Sequence, residues 1–213
     1  MLTIYGQIES GNCYKVALLC ALTQQPYRWE RIDLLAGEAR TADFLAKNPN
    51  GKTPVVVLND GRTLWESNAI LHYLAQGTAL WPTDAWQQAK VLQWMFFEQY
   101  SHEPYIAVAR SIKLFFGLPE SRRAEYEAKQ VGGHKALAVM EQQLQQTPYL
   151  IGDHLSIADI ALYAYTHVAH EGGFDLLAYP AIGEWLKRVE QTPYYADINT
   201  ILEKQMIICN PMD

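Results

Sequence analysis

The chain is poor in cysteine: 213 residues hold three, Cys13, Cys20 and Cys209. Their spacing fits neither a disulfide framework nor a zinc-ligand set. If their segment is helical, Cys13 and Cys20 lie two turns apart, roughly 10.5 Å along the axis, too far for a disulfide. Reduced thiols fit the cytoplasm. Basic residues are also scarce, with 17 Lys and Arg against 23 Asp and Glu and a net charge of -6. Phosphate binding is driven by clustered Lys and Arg, so nucleic acid is not an expected partner. No run approaches the ~20 apolar residues that span a bilayer, so no membrane association is expected. The opening Met1-Leu2-Thr3-Ile4-Tyr5 lacks the basic region and long apolar core of a signal peptide. After residue 78 there is no strand pattern, internal repeat or low-complexity segment. What remains, with 49% hydrophobic and 19% charged residues, is a well-cored globular protein expected in the cytoplasm.

Among what is present, Thr53-Pro54-Val55, followed by Glu66-Ser67, is the most informative feature. Pro54 heads the apolar run Val55-Val56-Val57-Leu58, which Asp60-Gly61 turns back. Proline cannot donate to a sheet ladder, so it belongs at a strand's first residue or on an edge. A cis bond there would leave the preceding residue's N–H and C=O open to another partner, although only about 5–6% of X–Pro bonds in folded proteins are cis. An unpaired backbone edge beside a Glu-Ser helix start suits a short anionic peptide.

Residues 2–5 and 27–32 read as strands, separated by a helix over 13–23 with Val16, Leu19, Cys20 and Thr23 on one face. A short helix over 40–46 ends at the turn Asn48-Pro49-Asn50-Gly51. Residues 55–58 and 63–65 form a hairpin. A helix from Ser67, striped with Ile70, Leu71 and Leu74, stops at Gly77. The first two strands should be parallel and the hairpin antiparallel. Residues 1–77 are thus a small α/β domain, 78–84 a linker, and 85–213 an all-helical domain. Helices are expected over 85–116, 121–146, 157–170, 181–191 and 196–203.

Four segments at this spacing resemble the glutathione transferase family: Ser10-Gly11-Asn12-Cys13, Asn48-Pro49-Asn50-Gly51-Lys52-Thr53-Pro54-Val55, Trp65-Glu66-Ser67-Asn68-Ala69-Ile70 and Leu155-Ser156-Ile157-Ala158-Asp159. The resemblance covers essentially the whole chain and looks closest to serine-type bacterial and theta- or delta-like members. It implies a thioredoxin-like α/β N-terminal domain and an all-α C-terminal domain. It also implies that the Ser10 hydroxyl donates to the glutathione sulfur. A thiol of pKa about 8.5 is only a few per cent thiolate at neutral pH. A hydroxyl donor and the positive end of the first helix stabilise the thiolate. The plainer role for Ser10 or Asn12 is a helix cap. Asn12, through its amide, is an alternate donor to sulfur, and Tyr5, near the end of the first strand, is another. Cys13 stands where some related classes use a cysteine that forms mixed disulfides with glutathione, yet it shares a helix face with Val16 and Cys20 and reads as core.

The resemblance further implies that Thr53, beside Pro54, offers its backbone to the cysteinyl part of glutathione, a form of strand addition. The family usually has an apolar residue before this proline, which leaves the Thr53 hydroxyl unexplained. Glu66, expected to be buried, would hold the γ-glutamyl ammonium; Ser67 and its helix N-terminus would hold the α-carboxylate. Lys52 would pair with the glycyl carboxylate, and more so because Ala39 stands where several relatives carry histidine. Tyr105, Ile106, Arg110 and Tyr165 are candidates to line a second-substrate pocket, although such spacing is commonly core. His102 reads as a structural histidine rather than one facing a partner subunit. Ser156 and Asp159 form a capping-box pattern with no chemistry assigned.

The expected protein is a cytoplasmic, homodimeric glutathione transferase that uses glutathione as co-substrate, needs no metal, and adds the thiolate to a hydrophobic electrophile. Two alternatives stand beside it: a glutathione-dependent disulfide reductase and a non-enzymatic binding or regulatory member of the fold.

Overall fold

The computed structural model describes residues 1–209, with side chains through residue 203; residues 210–213, the end of the expected helical domain, lie outside the described residues. The chain forms two compact units, residues 1–78 together with those from Thr192 on, and Ala79–Gln191. The expected first boundary is off by one residue. The segment from Thr192 on, expected in the helical domain, groups instead with the first unit. Tyr14 shows a physical reason, since its fully buried phenol donates to the Ala196 carbonyl at 3.0 Å.

In the first unit, β1 (Leu2–Gly6), α1 (Gly11–Leu22), β2 (Tyr27–Arg31), α2 (Ala42–Leu45), β3 (Val55–Val57), β4 (Thr63–Trp65) and α3 (Ser67–Leu74) follow in order. The sheet order is β2-β1-β3-β4, with β1 parallel to β2 and antiparallel to β3, and β3 antiparallel to β4. Valine favours a pleated, buried surface, and Val55 and Val56 are fully buried in the interior strand β3. Every residue of α1 from Cys13 to Cys20 is buried, as in a helix apolar on all sides. Lys15 is its one charged residue. α3 packs against α1 and buries Ile70, Leu71 and Leu74. The helix expected over 40–46 is divided into a 3-10 turn, Glu38–Arg40, and α2, because Thr41 caps α2 by accepting from the Phe44 N–H at 3.3 Å.

The second unit contains α4 (Ala85–Phe97), α5 (Glu103–Leu114), α6 (Arg123–Leu144), α7 (Ile157–Thr166) and α8 (Pro180–Glu190). The single helix expected over 85–116 is interrupted by a π-helical turn, Glu98–His102. Pro104, the second residue of α5, has no N–H to continue the ladder. All of α7 is buried. Its start carries the expected capping box, and the fully buried Asp159 gathers four donors: the Leu150 and Ser156 N–H groups at 2.9 Å each, the Ser156 hydroxyl at 2.8 Å and Trp185 Nε1 at 3.0 Å. The last helix, α9 (Ile198–Cys209), falls in the first unit. An α/β sheet domain with an all-helical unit is the architecture expected from the sequence.

Candidate functional site

Strand register brings three chain ends to one edge of the sheet. Tyr5 stands opposite Val55, and Val55 opposite Trp65. Because β3 runs against both neighbours, the end of β1, the start of β3 and the end of β4 share that edge. They lead into the loop carrying Ser10, out of Thr53-Pro54, and into Glu66-Ser67. The Thr53–Pro54 bond is cis, and the ladder begins at Val55, so Thr53 lies beyond the last paired residue.

Ser10 occupies the N-cap of α1, where its carbonyl accepts from the Cys13 and Tyr14 N–H groups at 3.0 and 2.9 Å. Its side chain makes no cap bond. Asn12, in the first turn, accepts from the Ser67 hydroxyl through Oδ1 at 3.2 Å, and one turn on Lys15 Nζ donates to Asn68 Oδ1 at 2.8 Å. Two side-chain links therefore clasp the N-terminal turns of α1 and α3. Ser67 is 6% exposed and is the first residue of α3, whereas the N-cap is Glu66. Glu66 is exposed, which corrects the expectation of a buried acid. Its backbone sits at φ 67°, uncommon for a residue with a side chain, and such outliers cluster at functional sites.

The Thr53 hydroxyl, unexplained by the sequence, lies near the Cys13 thiol, as does the Ser10 side chain, and both act to lower that thiol's pKa. Cys13 is fully buried, and burial pushes its thiol up, against the Thr53, Gln7 and Ser10 hydrogen bonds and the Lys15 charge. Burial alone takes the Cys20 thiol to about 12. Both thiols stay protonated at neutral pH and are poor nucleophiles, so the sulfur of Cys13 works as packing. A Cβ on Gly6 would stand 2.7 Å from it. Tyr5 packs against Ala39, Phe44 and Val55, with Lys47 Nζ 5.4 Å from its ring centre.

Two residues that position this edge were missed in the sequence. Lys15 is fully buried, and its signal was a lone charge inside an otherwise apolar helix. Asn48, 2% exposed, donates to the Lys52 carbonyl at 2.7 Å and accepts from the Asn50 N–H at 2.9 Å, fixing the loop before Thr53. Gly51 in that loop has φ 62°, and a Cβ there would meet Arg40 at 2.5 Å. The Lys52 side chain is exposed.

The second-substrate candidates are placed differently from expectation. Ile106 is fully buried, and Arg110, 6% exposed, is ion-paired to Glu171 at 2.5 Å. Tyr165 is 7% exposed within α7. Only Tyr105 is half-buried, its ring lying against Gly132. The first three are interior residues of the helical unit, because α5 and α7 turn those faces inward. His102 is fully buried and bonds Thr166 Oγ1 at 2.9 Å, as a structural histidine does. Among the described residues no group of His, Cys, Asp or Glu is arranged to hold a metal ion, and no helix is long and apolar enough to cross a membrane.

A mixed four-stranded sheet with a cis-proline at the head of β3, joined to a helical unit, defines a thioredoxin-like protein with an appended helical domain. Residues 9–76 match the glutathione S-transferase N-terminal domain and residues 94–193 the glutathione S-transferase C-terminal domain. The chain belongs to the glutathione S-transferase family. It is 58% identical to a glutathione S-transferase of known structure from Pseudomonas fluorescens Pf-5, over 92% of this chain and 98% of that one, with a TM-score of 0.92. It is 30% identical to the disulfide-bond oxidoreductase YfcG of Escherichia coli K12, over 85% of this chain and 87% of the relative. Ure2p solved in complex with glutathione shares the fold, with 24% identity, a TM-score of 0.81 and coverage of 95% and 93%.

Proposed function

We propose that this protein is a glutathione transferase: it binds glutathione along the sheet edge of the first unit, ionises its thiol, and adds the thiolate to a hydrophobic electrophile. The observation that carries this reading is the convergence of Ser10, Thr53-Pro54 and Glu66-Ser67 on one edge. In this reading the Thr53 backbone pairs with the cysteinyl residue of the tripeptide, as an added strand does. The first turn of α3, with Ser67, receives the α-carboxylate, Glu66 meets the ammonium, and Lys52 meets the glycyl carboxylate. Ser10, whose side chain is not spent on capping, donates to the sulfur, with Asn12 as the neighbouring donor. Of the four pocket candidates, Tyr105 is the one assigned to the electrophile. A homodimer in the cytoplasm belongs to the same reading.

Reduction of disulfides by glutathione thiols is a second reading, favoured by the likeness to YfcG. The protein's own Cys13 is too deeply buried to carry that exchange. Retention on immobilised glutathione, followed by assays with a chloronitrobenzene and with a model disulfide, separates these readings. No retention removes both; activity on the disulfide alone selects the reductase. Ser10→Ala is expected to raise the bound thiol's pKa by about one unit or more. An unchanged pKa transfers the role to Asn12.

A further inference from the structure

Arg40 is a cation the proposed chemistry does not yet use. It ends the 3-10 turn before α2, and its exposed side chain reaches the loop that leads into Thr53. Nη1 donates to the Asn50 carbonyl at 3.3 Å, which occupies one guanidinium N–H and leaves the rest of the fork open. Among the described residues no carboxylate is paired with Arg40, nor with the exposed side chain of Lys52. The loop is held firmly where the guanidinium meets it. Buried Asn48 bonds the Lys52 carbonyl and the Asn50 N–H, and the Gly51 N–H donates to the Asn48 carbonyl at 2.9 Å. Gly51 is itself buried, and a Cβ there would stand 2.5 Å from Arg40 Nη1 and 3.0 Å from its Cζ. The guanidinium therefore lies against Gly51, the residue next to Lys52 and two before Thr53.

We propose that Arg40 and Lys52 form a two-cation cradle for the ligand's free glycyl carboxylate, and that this cradle makes the site selective for glutathione unblocked at that end. This rests on the glutathione reading above. Direction decides where the carboxylate falls. In that reading the cysteinyl residue pairs with the Thr53 backbone, and the γ-glutamyl end lies towards Glu66-Ser67. The glycyl end runs the other way, back along the chain from Thr53. One extended residue covers roughly 3.3–3.6 Å, which sets the carboxylate alongside Lys52 and Gly51, where the guanidinium lies. A planar fork beside a compact ammonium suits both carboxylate oxygens, the fork through parallel N–H bonds and the ammonium as a point charge. An ester or amide at glycine removes the anion that both cations attract, and leaves two like charges facing a neutral group.

The test is isothermal titration calorimetry of wild type and Arg40→Gln with glutathione and with its glycyl monoethyl ester, which is neutral at that end. Wild type is expected to bind the ester about tenfold more weakly than glutathione, or weaker still. Arg40→Gln is expected to bind glutathione about tenfold more weakly than wild type does, and the ester equally well within about twofold. Arg40 is exposed, so the exchange disturbs no packed core. A guanidinium that merely braces the loop through the Asn50 carbonyl would lower both affinities alike, and that result overturns the proposal. So does a glutathione affinity unchanged in Arg40→Gln, or an ester that wild type binds as tightly as glutathione. Failure of wild type to bind glutathione overturns instead the reading on which the proposal rests.

Discussion

At the scale of single residues, the site is built by side chains that shape one another. Gly6 and Cys13 share a space with no slack: a Cβ on Gly6 would stand 2.7 Å from Cys13 Sγ, and the thiol has no open side to move towards. Gly6→Ala is expected to lose about 1–3 kcal/mol by overpacking. Most of that loss should return when Cys13→Ala is added, a coupling that chemical denaturation of the four proteins of the cycle measures. Equal losses with and without the cysteine would place the strain elsewhere. Some of this detail was legible. Cys13 was readable as core from its spacing to Val16 and Cys20, and the structure buries it. Glu66 was not readable, since its exposure follows from a backbone conformation at φ 67° that its residue type does not announce. Nor was the neighbour of the Thr53 hydroxyl, because Cys13 lies 40 positions earlier in the chain.

At the scale of elements, strands and helices follow local pattern well where pattern is the governing force. The three valines of β3 and the Asp60-Gly61 turn made the hairpin visible, and Ser156 with Asp159 announced the start of α7. The π turn Glu98–His102 was hidden, because the apolar stripe continues across it and only Pro104 marks the place where the ladder must shift. The Asn48 clamp was seen only as a turn, since composition does not say which carbonyl a buried amide will reach. Asp159 ties three segments to α7. Burial raises its pKa, yet donors converge on both of its oxygens, so the ionised carboxylate is the form that fits. Asp159→Asn would turn an amide donor towards one set of these donors and leave at least one of them buried and unpaired. The expected cost is about 3 kcal/mol. Thermal unfolding should then begin roughly 6–12 °C lower, and a shift under 2 °C, about half a kcal/mol, would show that the network carries little.

At the scale of the whole molecule, pH links burial to stability. His167, just after α7, donates from Nδ1 to the Tyr163 carbonyl at 2.9 Å and stacks on the Tyr163 ring at 4.6 Å. Burial, helped by the nearby Arg110 and His170 charges, lowers its pKa from 6.5 to about 4. The unfolded chain therefore binds this proton more readily than the folded one, and stability is lost as pH falls from about 6.5 towards 4. Between pH 7 and 5 the histidine should account for roughly 1–2 kcal/mol of lost stability. His167→Gln should flatten that part of the profile in thermal melts, and an unchanged slope would assign it to other groups. The order of the chain carries a last consequence, visible in the bond from Tyr14 to Ala196. A ribosome releases residues 192–209 after the whole of the second unit, so the unit begun first is finished last. During synthesis α1 waits, without the segment that accepts its buried phenol, while an entire helical body is made in between. Trimming this chain to its first 78 residues would leave Tyr14 in that unfinished condition permanently.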